Sequence, residues 1–235
     1  MAEKIKFGPY EWLVLERKGD TALIITEGIA QRIGYHSEKK GTTWENSNIR
    51  KHLNGKFFEK FSSAEIARIV EVTIQNPDNP WFKTPPALFS VMGATPRDPK
   101  GGNPTKDKIF CLSIEEVCRY FGDSTARLKN KGFTQSGSGA AAQIKWDPGV
   151  KPSLSGAAQI SDQNDKNRIA VMPKDLTNNK KQDSPFWWWL RSPGEADILA
   201  AIVSGQGAVK MTGGKIYAFA NHDFGGIRPA LWLKM

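Results

Sequence analysis

Three consecutive tryptophans, Trp187-Trp188-Trp189, running into Leu190-Arg191-Ser192-Pro193-Gly194, place the hardest demand on this chain. In an extended strand successive side chains leave opposite faces, so the indoles cannot share one side, and each face must supply cover for at least one large ring. Such a strand belongs inside a sheet that is packed on both sides. Downstream, Ile198 to Val203, Ala208 to Met211 and Lys215 to Phe219 are short β-prone runs. Gly205-Gln206-Gly207 and Gly213-Gly214 separate them, and their glycines suit the positive φ of tight hairpin turns. The reading is a meander that closes on Gly226-Ile227-Arg228-Pro229-Ala230-Leu231-Trp232. Just before that closure, Ala220 to Gly226 combines turn chemistry with two rings and an acid, the composition of a contact loop carried on a rigid sheet.

Upstream, Trp12 to Arg17 and Thr21 to Thr26 flank Lys18-Gly19-Asp20 and read as a β-hairpin. Glu27 to Ile33 is expected as a short helix. Asn48 to Leu53 is expected as another, with Ile49 and Leu53 on one face and Asn54-Gly55 as its stop. Ser62-Ser63-Ala64-Glu65 and Ser113-Ile114-Glu115-Glu116 are capping boxes, in which a serine hydroxyl and a glutamate carboxylate take up free backbone N–H groups at a helix start. The first opens a helix through Ile66 and Ile69. The second opens one through Val117, Tyr120 and Phe121, ended by Gly122. Val70 to Gln75 and Lys108 to Leu112 read as strands. Residues 76–106 hold seven of the 14 prolines and no sustained period, so they read as a long surface excursion. Residues 123–183 are rich in Gly, Ser, Ala, Asn and Lys; Ile160 and Ile169-Ala170-Val171-Met172 are their firm apolar anchors.

Composition narrows the function. The net charge of +9 invites a nucleic-acid reading, but the basic residues are scattered: Lys39-Lys40, Lys129 with Lys131, and Lys180-Lys181 lie far apart, and none adjoins an RNA-binding aromatic signature or a recognition helix. No specific nucleic-acid partner is expected. Cys111 and Cys118 are the only cysteines and lack zinc-site spacing; they read as small buried hydrophobes, with a disulfide as the alternative. His36, His52 and His222 are isolated, and no Gly-x-Ser-x-Gly elbow, phosphate-binding loop or His-Glu-x-x-His is present. Asp162 with Asp165 falls in the loop-rich middle, where holding two carboxylates in catalytic register is hard. The expectation is a protein that is not an enzyme and uses no cofactor or metal. No charged-then-apolar leader opens the sequence and no apolar run approaches the ~20 residues of a membrane span, so a soluble protein is expected.

Several blocks occur in a characteristic order: Phe7 to Leu15; Trp44-Glu45-Asn46-Ser47-Asn48-Ile49-Arg50 with Leu53-Asn54; Lys106-Asp107-Lys108-Ile109-Phe110-Cys111-Leu112-Ser113; Trp188 to Gly194; and Gly226 to Trp232. In that order they resemble a bacterial and phage domain family of unassigned function. The C-terminal half resembles the C-type lectin fold shared by formylglycine-generating enzymes and the variable proteins of diversity-generating retroelements. The resemblance implies an α+β, C-type lectin-like fold with small mixed and antiparallel sheets, two or three short helices and long loops. It implies one domain over residues 1–235, with excursions at 76–106 and 123–183 and a C-terminal sheet and variable region at 187–235.

The implied function is non-catalytic recognition of a protein or other macromolecular ligand, on a phage particle or bacterial surface. By location between the fixed-looking blocks, the contact positions would be Glu195, Asp197, Ser204, Gln206, Lys210, Thr212, Lys215, Tyr217, Asn221, His222 and Phe224. For Tyr217 and Phe224, packing in the core is the competing role. Trp188, Trp189, Arg191, Arg228 and Trp232 are assigned to packing and buried hydrogen bonding, with an anion clamp as the alternative for the two arginines. The alternative functions are a fixed-ligand structural or adhesive module of a phage particle or bacterial surface and, behind it, an enzyme resembling the formylglycine-generating ones. The Glu-Pro-Asn, Gln-Pro-Asp and Trp-Asn-Asp calcium signatures of sugar-binding lectins are missing, and the cysteines lie far ahead of the C-terminal core where formylglycine-generating enzymes need them.

Overall fold

The computed structural model describes residues 3–82, 99–129, 134–136, 143–145, 158–176, 183–217 and 224–235. Over these residues the fold is mixed α+β, with short helices around two larger sheets and three two-stranded ones.

The first sheet is antiparallel throughout, in the order Lys4–Phe7, Tyr10–Lys18, Thr21–Thr26, Ala230–Lys234, Ile69–Val70. The expected hairpin forms around Gly19, whose φ of 60° suits the turn. The second sheet runs Gln159–Ile160, Val209–Lys215, Leu199–Val203, Trp188–Pro193, Gly225–Ile227, Gln31–Ile33. Its neighbours are antiparallel except Trp188–Pro193 beside Gly225–Ile227, which are parallel.

The tryptophan run behaves as strand alternation requires. Trp188 and Trp189 are both fully buried, while Trp187 at the strand's edge is half-buried. Trp188 packs edge-on against Phe121 and donates its indole N–H to the Arg168 carbonyl at 3.1 Å. Trp189 meets Tyr35 and Trp187 edge-on and donates to the Ile33 carbonyl. Burying one such indole is worth roughly 4–6 kcal/mol by area, so this strand anchors the second sheet from both faces.

Arg228 sits at the corner where the chain leaves the second sheet for the first. Its Nε donates to the Thr26 carbonyl at 2.8 Å and its Nη2 to the Glu27 carbonyl at 3.0 Å. The guanidinium lies 4.9 Å from the Phe121 ring centroid and 5.3 Å from that of Trp188. Burial pulls its pKa down to about 9, against the opposing charge of Glu27. Arg191 is held differently. It pairs through both terminal nitrogens with the Glu116 carboxylate and donates to the carbonyls of Cys111 and Gln75. Both arginines are therefore locks between segments, as assigned, and Trp232 pairs with Leu23 and Val70 in the first sheet.

Other expectations require correction. Residues 27–33 are not helical: Gln31–Ile33 is an edge strand on Gly225–Ile227, and the Ala30 N–H goes to the Ile227 carbonyl. Sheet pairing supplied from far along the chain overrides a weak local preference. The strand expected at 108–112 lies instead at Thr105–Asp107, paired with Val72–Ile74. It stops because the Asn54 side chain takes the place of a ladder partner, accepting from the N–H groups of Lys108 and Ile109 and donating to the Ile109 carbonyl. Gly213-Gly214 is not a hairpin turn. Both glycines lie inside Val209–Lys215, where the register shifts beside Ala200 and Gly213 has a φ of 81°.

The proline-rich excursion is tied inward at its described ends. Asn76, Asn79 and Trp81 are buried, and Asn79 Nδ2 donates to the carbonyls of Pro193, Gly194 and Met211. In the loop-rich middle, Asp162 and Asp165 hold the fully buried Arg168 at 2.7 and 2.8 Å, with Ser124 and the Gly207 carbonyl completing its bonds. Cys111 and Cys118 are buried free thiols, both pushed up to about 12 chiefly by burial.

Candidate functional site

The turn expected at Gly205-Gln206-Gly207 forms between Leu199–Val203 and Val209–Lys215. The Ser204 N–H donates to the Ala208 carbonyl, and the Ala208 N–H returns a bond to the Ser204 hydroxyl at 3.2 Å. Gly207 has a φ of 88°, and a Cβ there would fall 1.9 Å from the Asp165 carbonyl oxygen. Only glycine fits so close an approach.

This turn forms one wall of a cleft of about 360 Å³ lined by Pro185, Phe186, Trp187, Ile202, Ser204, Gly205, Gln206 and Lys210. The opposite wall comes from Ser184–Phe186, which pairs with Ala170–Met172, and from the adjoining Trp187. Phe186 and Trp187 stack with ring centroids 5.8 Å apart, and the Arg32 guanidinium lies 5.3 Å from the Phe186 ring centroid. Lys210 is half-buried, with Ile202 and Gln159 as its cross-strand neighbours. Neither Lys210 nor the exposed Gln206 has a hydrogen-bond or ion-pair partner among the described residues. An apolar wall with a few free polar groups is the usual make-up of a small-ligand site.

The structure divides the expected contact positions. Ser204, Gln206 and Lys210 meet in the cleft. Glu195, Asp197 and Lys215 lie at the other end of the same strands, about 13 Å away over Leu199–Val203 at ~3.3 Å per residue. There the Glu195 N–H donates to the Thr212 carbonyl, and the Asp197 carbonyl accepts from the Thr42 N–H at 3.1 Å. Tyr217 is 7 % exposed and bridges to His36, so its ring belongs largely to the interior. Phe224 is half-buried with its ring against Gly34. Asn221 and His222 lie outside the described residues.

Sequence reading missed Phe186, Trp187 and Ile202 as cleft residues. The available signal was the indole triplet itself, since Trp187 continues the Trp189 face one step past the edge, where cover runs out.

His36 is buried beside this sheet with neither ring nitrogen bonded. Burial first, then Lys40 and Lys51, lower its pKa below 6.5 against the pull of Glu38. Among the described residues, no group of three or more His, Cys, Asp or Glu side chains is placed to hold a metal ion, and no helix is long and apolar enough to cross a membrane.

A family model described as a domain of unknown function, DUF6273, matches residues 19–235. The chain belongs to this family. The DUF6273 match begins at the Gly19 turn, so the Phe7 to Leu15 block precedes it, while the four later blocks lie within it. Tyr10–Lys18 nonetheless completes the sheet begun inside the DUF6273 span, with Trp12 fully buried. No curated protein and no solved structure matches the chain.

Proposed function

We propose that this DUF6273 protein is a non-catalytic recognition protein whose C-terminal sheet presents the ligand contacts. The observation that carries the reading is the cleft at the 204–210 turn, where an aromatic wall meets the free side chains of Gln206 and Lys210. Loops and strand ends on a rigid sheet can vary in chemistry without disturbing the core, and contact residues gather there for that reason. The C-type lectin-like scaffold and the kinship with retroelement variable proteins belong to the same proposal. They are supported by the order of sequence blocks, and by a closing segment in which Gly225–Ile227 pairs into the second sheet and Ala230–Lys234 into the first.

The test is capture on arrays of bacterial glycans and surface peptides, comparing the native protein with a Trp187→Ser, Gln206→Ala, Lys210→Glu variant of confirmed fold. Signals lost in the variant support the reading; signals it fully retains overturn it. Sequencing the source population across the codons for Trp187 to Met235 tests diversification separately. Substitutions confined to adenines of a nearby template repeat support a variable protein, whereas an invariant segment leaves a fixed-ligand module of a phage particle or cell surface.

A further inference from the structure

We propose that the cleft beside Lys210 binds a ring-borne carboxylate, the anion meeting the lysine ammonium and the ring lying along the Phe186–Trp187 wall. This rests on the recognition reading above and adds the chemistry of the ligand. Charge complementarity carries it. Among the described residues, none that lines the cleft is acidic, and Lys210 has no ion-pair partner. Its cross-strand neighbours, Ile202 and Gln159, are uncharged. A half-buried ammonium beside an aromatic wall is less well screened than one on open surface, so an arriving carboxylate gains more there.

The neutral groups narrow the class. The Gln206 amide is free to donate and accept, and the Ser204 hydroxyl, which accepts from the Ala208 N–H, keeps its own proton to donate. One ammonium beside neutral hydrogen-bonding groups suits a single negative charge. A nucleic acid or polyphosphate calls for a row of cations or an arginine fork. A volume of about 360 Å³ leaves room for a substituted ring.

A hydroxylated sugar acid and a flat aryl acid both present this chemistry, and the test separates them. The full chain, labelled with nitrogen-15, is titrated with glucuronate, phenylacetate and their uncharged counterparts glucose and phenylacetamide, following amide shifts. The expected result is saturable shifts at residues 186–187, 204–206 and 210 with at least one acid, binding at least tenfold tighter than its uncharged counterpart. Lys210→Met and Lys210→Gln should abolish that difference, whereas Lys215→Met, at the far end of the strand, should preserve it. Glucuronate alone would identify the sugar source and phenylacetate alone the aryl source. Equal binding of an acid and its counterpart overturns the carboxylate assignment while leaving a recognition cleft. No saturable shift at the cleft with any of the four overturns the site itself, and the arrays then judge the wider surface independently.

Discussion

Two polar clusters in this molecule have opposite character. Around Asp107 every group is engaged: its carboxylate accepts from Trp44 Nε1 at 3.0 Å, Arg50 Nε at 2.6 Å, Thr105 Oγ1 at 2.7 Å and Asn54 Nδ2 at 3.4 Å, with the side chain wholly buried. Around the 204–210 turn, Gln206 and Lys210 face a cleft and have no partner among the described residues. Both clusters carry charged and amide side chains, so composition cannot tell them apart. Satisfaction can. A buried polar group that finds its partners within the chain has its role in the fold, whereas one held in a hollow with none is available to a ligand.

The sharpest way to break this comparison is Asp107→Ala. The change strands the Trp44 N–H and leaves the Arg50 guanidinium, 25 % exposed, without its carboxylate. Breaking a buried pair by removing one partner costs about 3–5 kcal/mol, or a fall in Tm of roughly 10 °C for a chain of this length. Thermal unfolding measures it, and Asp107→Asn, which keeps the shape, should lose less. A loss no larger than that of a cleft substitution would erase the distinction.

The two corner arginines sharpen it next. Arg191→Met strands Glu116 and should cost about 3 kcal/mol. Arg228→Met strands no carboxylate: the apolar side chain stays between Phe121 and Trp188, and the loss is two bonds to carbonyls, about 1–3 kcal/mol. Urea unfolding of the two variants should therefore rank Arg191→Met as the more damaging.

Acid should act on the interior in two stages. His36 titrates below its ordinary 6.5 in the folded protein because burial disfavours its charged form. Glu116 titrates below 4.5: burial alone would raise it, but Arg191 and the Ser113 cap bonds outweigh burial. For both groups the folded-state value is depressed, so their stabilisation is complete above 6.5 and 4.5 respectively and is lost as pH falls through the folded values. Unfolding free energy measured against pH should decline first below 6.5, then again below 4.5. His36→Phe should shrink the first decline to the share of His52, whose pKa burial also lowers, and leave the second.

What the sequence made legible follows the range of the forces involved. Both capping boxes form as read, Ser62 with Glu65 and Ser113 with Glu116, because cap chemistry is complete within four residues. The indole triplet announced a strand buried on both faces for the same local reason. The second role of Glu116, holding Arg191 from 75 positions away, was hidden, as was the edge strand at Gln31–Ile33, whose partner is Gly225–Ile227. Of the expected contact positions, Ser204, Gln206 and Lys210 line one cleft because a glycine turn fixes where they project. Phe186 and Ile202 were not, since only the folded sheet brings their walls together.

The smallest expected effect lies in the cleft. Gln206→Ala and Lys210→Met remove groups that bond to solvent in the folded chain as in the unfolded one, so nothing is stranded and little packing is lost. Each should change stability by no more than about 0.5 kcal/mol, within the ordinary range of surface substitutions. Trp187→Ser should cost more, because its ring meets Trp189 edge-on at 4.7 Å and stacks on Phe186. The triplet thus grades from cleft to interior within three residues, Trp187 lining the cleft and Trp188 and Trp189 wholly committed to the core. A Gln206 or Lys210 substitution as costly as Trp187→Ser would mean that these polar side chains brace the turn, and the cleft would then belong with the Asp107 cluster as structure.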